Sequence, residues 1–253
     1  MSDTKNKKIY KAKVAAIEKV TQSSFYIELK CENPVEVKAG QFVSIYCGGL
    51  TLRRPFSVFT NNNGNIGILF KERGKGTEYI KSLKVGDIVD LIGPFGNSFD
   101  IKNKKSLLIG AGIGVAPISY LKEKLEKKEI INIFAAGFLN KQEIPNCINV
   151  DKTYTDDGSC GEKGSILDYL EKLIKEFSPE IIYACGPHIV LKTVADLGIK
   201  YNIETQVAME KVMACSIGVC RGCVIDVIKD GKTVNASVCK DGPVFKGNEV
   251  VWQ

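Results

Sequence analysis

The sequence predicts three units in series: an antiparallel β-barrel, an α/β unit on a parallel sheet, and a small cysteine-rich C-terminal unit. Three observations carry this reading. Short alternating or β-branched runs fill the first hundred residues, apolar runs alternate with helix-period segments from Lys105 onward, and four cysteines crowd between Cys215 and Cys239. The expected boundaries are 1–102, 103–208 and 209–253.

In the barrel, KIYKAKVAAIEKV, SFYIELKC, QFVSIYC, RRPFSVFT, NIGILFKE and DIVDLIG read as strands, with turns at ENP, NNNGN and KVGD. One helix is expected between Thr77 and Leu83. The α/β unit opens with the apolar strand SLLIGAG and the helix VAPISYLKEKLEKK. It continues with strand IINIFAAGF, helix SILDYLEKLIKEF, strand EIIYACGP and helix HIVLKTVADLGIKY. From Met209 the chain is too short and glycine-rich to build a large core alone, so something else must hold it together.

Composition narrows the function. The chain has 253 residues, 44% of them hydrophobic, and a net charge of +6 that comes from dispersed lysines. No arginine run or aromatic–basic interleaving accompanies that charge, so nucleic acid is not expected as a partner. No apolar run is long enough to span a bilayer and the polar N-terminus is unlike a signal peptide, so a cytoplasmic protein away from membranes is expected. In that reducing setting nine cysteines are not a disulfide framework. His188 is the single histidine, which argues against a Ser-His-Asp hydrolase.

Four motifs carry chemistry. GAGIGVAP places Gly110, Gly112 and Gly114 between a strand and a helix, where backbone N–H groups and the helix N-terminus suit a pyrophosphate. The spacing is G-x-G-x-G rather than the common G-x-G-x-x-G, and a plain tight turn would also account for it. YACGP puts Cys185 at a strand C-terminus, the place of a ligand crevice, and Thr155, Asp156 and Asp157 could share it; a buried structural cysteine is the alternative. LRRPFSVF and FKERGKGT offer Arg54 for a phosphate, Phe56 for a flat ring, Ser57 for a ring nitrogen, and glycines with Thr77 before a helix; strand plus turn is the alternative. The cysteines Cys215, Cys220, Cys223 and Cys239 run C-x4-C-x2-C with 15 residues to the last, which is the plant-type [2Fe–2S] pattern. A zinc site would show two paired elements, and one pair is present.

In this order the motifs RPFS, GKGT, GAGIGVAP and ACGP, with GQF and GPFGNSF, resemble the ferredoxin–NADP reductase superfamily. MACSIGVCRGC with VCKDGPVF resembles the electron-transfer subunits of NAD-linked dihydroorotate dehydrogenases, over essentially the whole chain. The resemblance implies FAD in the barrel, NAD in the α/β unit and one [2Fe–2S] cluster at the C-terminus. It implies a partner subunit with FMN that oxidises dihydroorotate for pyrimidine (UMP) synthesis, assembled as two of each chain in a heterotetramer. Electrons would pass from that FMN through the cluster and FAD to NAD+.

The flavin motif carries over onto Arg54, Pro55, Phe56 and Ser57, then Leu69, Phe70 and Lys71, then Gly76 and Thr77. The cluster ligands carry over onto Cys215, Cys220, Cys223 and Cys239, and Cys185 would lie near the nicotinamide. Three departures stand out: Lys71 where the family usually has arginine, and Ser216 and Val212 in place of a usual glycine and arginine. The missing arginine after AAGFLNKQE favours NAD over NADP, with Lys141 nearby. Two rival readings are a flavin and iron–sulfur NAD(P)H oxidoreductase subunit serving ferredoxin or sulfur compounds, and a zinc-stapled binding module on a degenerate reductase scaffold.

Overall fold

The computed structural model describes residues 8–252. The barrel begins with β1 (Lys8–Lys19), β2 (Ser24–Cys31), β3 (Phe42–Ile45), β4 (Arg54–Ser57), β5 (Thr60–Asn62) and β6 (Asn65–Lys71). The helix α1 (Lys75–Ser82) and the strand β7 (Ile88–Phe95) complete it. Its seven strands run β4-β3-β7-β1-β2-β6-β5, all antiparallel. Alternation sets the inner face: Phe25, Ile27, Leu29 and Cys31 of β2 are buried while Tyr26, Glu28 and Lys30 are not.

The α/β unit comprises β8 (Ser106–Ala111), α2 (Val115–Glu126), β9 (Asn132–Phe138), β10 (Lys152–Thr155), β11 (Glu162–Lys163), α3 (Ile166–Phe177), β12 (Ile181–Cys185), α4 (His188–Tyr201) and β13 (Glu204–Ala208). The sheet order β11-β10-β9-β8-β12-β13 is parallel throughout, and β8 is buried at every position, as a strand covered on both faces must be. The order reverses beside β8, which puts a ligand crevice at the C-terminal ends of β8, β9 and β12. α3 shows how sequence fixes a boundary. Ser165 and Asp168 close a capping box, and Ile166, Leu170, Leu173 and Ile174 form its buried stripe. The strands β10, β11 and β13 go beyond the sequence reading: β10 and β13 carry threonines or a glutamine among their apolar residues, and β11 is two exposed residues. Buried Gln206 of β13 has partners of its own, donating to the Asp100 carbonyl at 3.0 Å and accepting from the Asp100 N–H at 2.9 Å.

The C-terminal segment forms the hairpin β14 (Val224–Lys229) and β15 (Lys232–Ser237), then β16 (Val244–Lys246). β16 pairs antiparallel with β13 and becomes the outer strand of the parallel sheet. The segment is also fastened to the barrel. The Asn97 side-chain amide donates to the Val244 carbonyl at 2.7 Å and accepts from the Val244 N–H at 2.9 Å, and the Asn97 N–H donates to the Gly242 carbonyl at 2.6 Å. Phe42 and Phe95 of the barrel share one apolar cluster with Cys223, Ile225 and Cys239. That sharing answers how so short a segment keeps a fixed shape. Among the described residues no helix is long and apolar enough to cross a membrane.

Candidate redox site

The first cleft, of about 290 Å³, opens beside β4 and β6. All four residues of β4 are half-buried, because one side of this edge strand faces the cleft instead of a neighbour. Arg54, Pro55, Phe56 and Ser57 line it from β4, and Leu69, Phe70 and Lys71 from β6. Phe56 meets Phe70 edge to face at 5.8 Å. Gly76 stays outside the lining and has another use: a Cβ there would fall 2.7 Å from Cγ and Nε of Arg54. Its missing side chain gives the arginine its place. Thr77 lines the cleft and holds the loop before α1, its hydroxyl accepting from the Arg73 and Gly74 N–H groups at 2.9 and 3.1 Å.

The second cleft, of about 560 Å³, lies at the sheet reversal. Gly112 and Gly114 line it within a 3₁₀ turn, Gly112–Gly114, that leads into α2. Gly112 has φ +55° and open space where a Cβ would be, so its backbone is bare toward the cleft. Gly114 packs directly on the Cys185 backbone, where a Cβ would collide. Gly110, expected at the nucleotide, is buried in β8 between Phe134 and Val115 and does not line the cleft; its role is close packing. Cys185 ends β12 at 3% exposure and lines neither cleft. Burial pushes its thiol well up and the Glu210 carboxylate adds to this, so it stays a neutral thiol. Asp156 lines the second cleft and Asp157 does not; Asp157 is held by the hydroxyl and N–H of Ser159.

The two clefts share a wall made by Lys71, Arg73, Ile113 and Glu210. Lys71 pairs with Glu143 at 2.8 Å, and the same carboxylate accepts from the Ser23 hydroxyl at 3.1 Å. Glu210 follows β13 after Met209; it is exposed at the cleft, yet the protein around it desolvates its carboxyl and raises it, opposed by the Arg73 guanidinium. Sequence reasoning passed over Glu143 and Glu210. Glu210 carried no sequence signal, because β13, the strand before it, was itself not marked by the pattern.

The four C-terminal cysteines come together as two pairs. The Cys220 N–H donates to Cys215 Sγ at 3.3 Å, and the Cys239 N–H donates to Cys223 Sγ at 3.4 Å. The Gly222 N–H donates to Cys220 Sγ at 3.4 Å. Ser216, Gly218 and Arg221 all have positive φ, and these left-handed turns direct successive N–H groups at sulfur. At Cys215 desolvation opposes ionisation, but the N–H donors of Cys220 and Ile217, the Cys220 thiol and the Val219 N–H outweigh it and bring the thiol down to about 6. Among the described residues no three ligand-type side chains converge as they stand on one metal ion. Two thiol pairs with N–H groups directed at sulfur are a donor set that fits a two-iron cluster. Cys220 is exposed and Cys223 and Cys239 are buried against the barrel. Ser216 is buried too, and the Ser44 hydroxyl on β3 donates to its hydroxyl across 3.4 Å.

A barrel with an arginine-led edge strand, a glycine turn at a sheet reversal and a four-cysteine loop packed between them define a reductase-type electron carrier. Residues 11–99 match the family described as oxidoreductase FAD-binding domain. Residues 210–251 match the iron-sulfur cluster binding domain of dihydroorotate dehydrogenase B. The "dihydroorotate dehydrogenase B (NAD(+)), electron transfer subunit" of Caldanaerobacter subterraneus subsp. tengcongensis is 38% identical over 84% of this chain and 87% of its own. That of Clostridium acetobutylicum is 34% identical over 92% and 98%. Among solved structures, an NADH-dependent reduced ferredoxin-NADP oxidoreductase superposes with TM-score 0.81 at 27% identity, over all of this chain and 92% of the other. The chain belongs to the family of dihydroorotate dehydrogenase B electron transfer subunits.

Proposed function

We propose that this chain is the electron-transfer subunit of an NAD-dependent dihydroorotate dehydrogenase and serves pyrimidine biosynthesis. The observation that carries the reading is the shared wall: a flavin-type cleft and a nucleotide-type cleft adjoin at Arg73, Ile113 and Glu210, with the four-cysteine loop packed against the same barrel. When bound, FAD supplies exchange between single electrons and hydride, the [2Fe–2S] cluster supplies single-electron transfer, and NAD+ accepts the hydride.

The chain's own residues bind and orient these groups. Arg54 offers a planar fork to a flavin phosphate, and Lys71 a point charge. Phe56 and Phe70 set an apolar wall, and Ser57 at the end of β4 would offer its hydroxyl to a flavin held in the cleft. Gly112 and the α2 N-terminus receive the nucleotide pyrophosphate, with Gly114 setting the turn. Cys185 backs that turn as a neutral thiol. Cys215, Cys220, Cys223 and Cys239 ligate the cluster.

The partner is a dihydroorotate dehydrogenase catalytic subunit carrying FMN, in an assembly of two of each chain in the cytoplasm. Val219 stands 75% exposed beside the exposed Cys220, and Val212 ahead of Cys215 is 88% exposed, which supports a docking face around the cluster loop. The test is reconstitution. The purified chain should show flavin and iron–sulfur absorbance and should confer dihydroorotate-dependent NAD+ reduction on an FMN-containing partner. A colourless zinc protein would end the reading. The fit to a ferredoxin-linked oxidoreductase favours one second reading, in which the electron partner is ferredoxin. Reduction of ferredoxin and no response to the dihydroorotate subunit would select it.

A further inference from the structure

We infer that Ser44 and Ser216 form an anchor that fixes the first half of the cysteine loop to the flavin barrel, making both positioning residues for electron passage. The inference rests on the proposed cofactor sites above. Besides the shared apolar cluster, hydrogen bonds join the C-terminal segment to the barrel at two separate places. The Asn97 fastening holds residues 242–244, just past Cys239. It reaches residues 215–220 only through Gly218, whose backbone hydrogen-bonds Cys239, and there Ile217 and Val219 face solvent and Cys220 is exposed.

In that exposed stretch Ser216 alone turns inward, at 1% exposure. Its φ of +60° lies in the left-handed region, which disfavours a residue with a Cβ relative to glycine. A serine that occupies a glycine's conformation needs something in return, and the hydroxyl supplies it. Its partner Ser44 has no exposed surface at all, so two buried hydroxyls satisfy one another.

The location of Ser44 gives the contact its consequence. In the β3–β4 ladder Ser44 is opposite Pro55, and Phe42 is opposite Ser57. Opposed residues of an antiparallel pair point to one face. Phe42, Pro55 and Ser57 all line the first cleft, so Ser44 extends the same face by one pair. Met213, two residues before Cys215, also lines that cleft. The hydroxyl pair thus ties the loop bearing Cys215 and Cys220 to the sheet face that forms the flavin wall. Loss of either hydroxyl frees that half of the loop while the Asn97 side stays fastened.

The experiment uses the full chain with its cofactors and compares Ser44→Ala, Ser216→Ala and the double variant. Ser216→Gly is a further variant whose backbone suits the positive φ. Amide hydrogen exchange across residues 215–220 should quicken roughly three- to tenfold in each single variant. The double variant should be no faster than the singles, since one interaction is lost in all three. Exchange in β14 and β15 should not change. In Ser44→Ala, reduction of the cluster by NADH should slow by roughly twofold or more while NADH oxidation by a flavin-directed artificial acceptor is unchanged. Unchanged loop exchange in the single variants, or effects that add in the double, would overturn the anchor. A chain that binds neither flavin nor cluster would instead overturn the proposed function, and the exchange data would still read the anchor.

Discussion

The cysteine loop and the wall between the two clefts are both polar sites, yet they are built in opposite ways. The loop is local: three of its cysteines lie within nine residues, and its N–H donors come from the same stretch. The wall is assembled from afar. Lys71 and Arg73 at the end of β6, Ile113 of the turn before α2 and Glu210 after β13 meet only because the barrel and the parallel sheet pack together. A local site tolerates little change in its own residues and much elsewhere. An assembled site spreads its dependence over many contacts, so single changes in it should have graded effects.

The largest break should come from the loop. Cys220→Ser should abolish dihydroorotate-dependent NAD+ reduction and remove cluster absorbance, while flavin content and NADH oxidation by artificial acceptors persist. Retained coupled activity would contradict the local reading. Next, Gly114→Val should destabilise the chain by roughly 2–4 kcal/mol, because its Cβ would collide with the Cys185 backbone and the β12 end cannot move away. Denaturant midpoints with an unchanged m-value would measure it. On the flavin side, Arg54→Ala should weaken FAD binding by roughly tenfold or more, about the worth of a charge-assisted hydrogen bond, read by fluorescence titration of the deflavinated protein.

The smallest effects belong to the wall. Desolvation raises the Glu210 carboxyl in the fold, so the folded state binds that proton more tightly than the unfolded chain. Its contribution to stability is complete below the ordinary glutamate range and is lost as pH rises through the raised value. Thermal midpoints of Glu210→Gln should lack that decline, and parallel pH curves for the two proteins would remove Glu210 from the wall's electrostatics. Val219→Glu should weaken subunit assembly with little change in the isolated chain, as measured by analytical ultracentrifugation; equal assembly would move the docking face elsewhere.

The same contrast explains what could be read from the chain itself. The C-x4-C-x2-C spacing needed no tertiary knowledge, and β4, α2 and α3 follow from pattern and capping. In GAGIGVAP the pattern marks a turn but cannot tell which glycine faces a ligand, and Gly110 faces the core instead. Gly76 reads as a phosphate residue until its packing against Arg54 is seen. Ser216 had no explanation in sequence because its partner is 172 residues away. Glu143 was invisible for a related reason: its partner Lys71 is 72 residues distant, and a glutamate in NKQE carries no local mark of its use.

The outer strand β16 has a meaning for the cell that handles this chain. Until residues 244–246 have docked, β13 presents an open row of backbone donors and acceptors, the kind of edge on which other chains can add. A stretch made only after the parallel sheet is therefore also the guard of that edge. A premature stop before Val244 would release a sticky, aggregation-prone product rather than a merely colourless one.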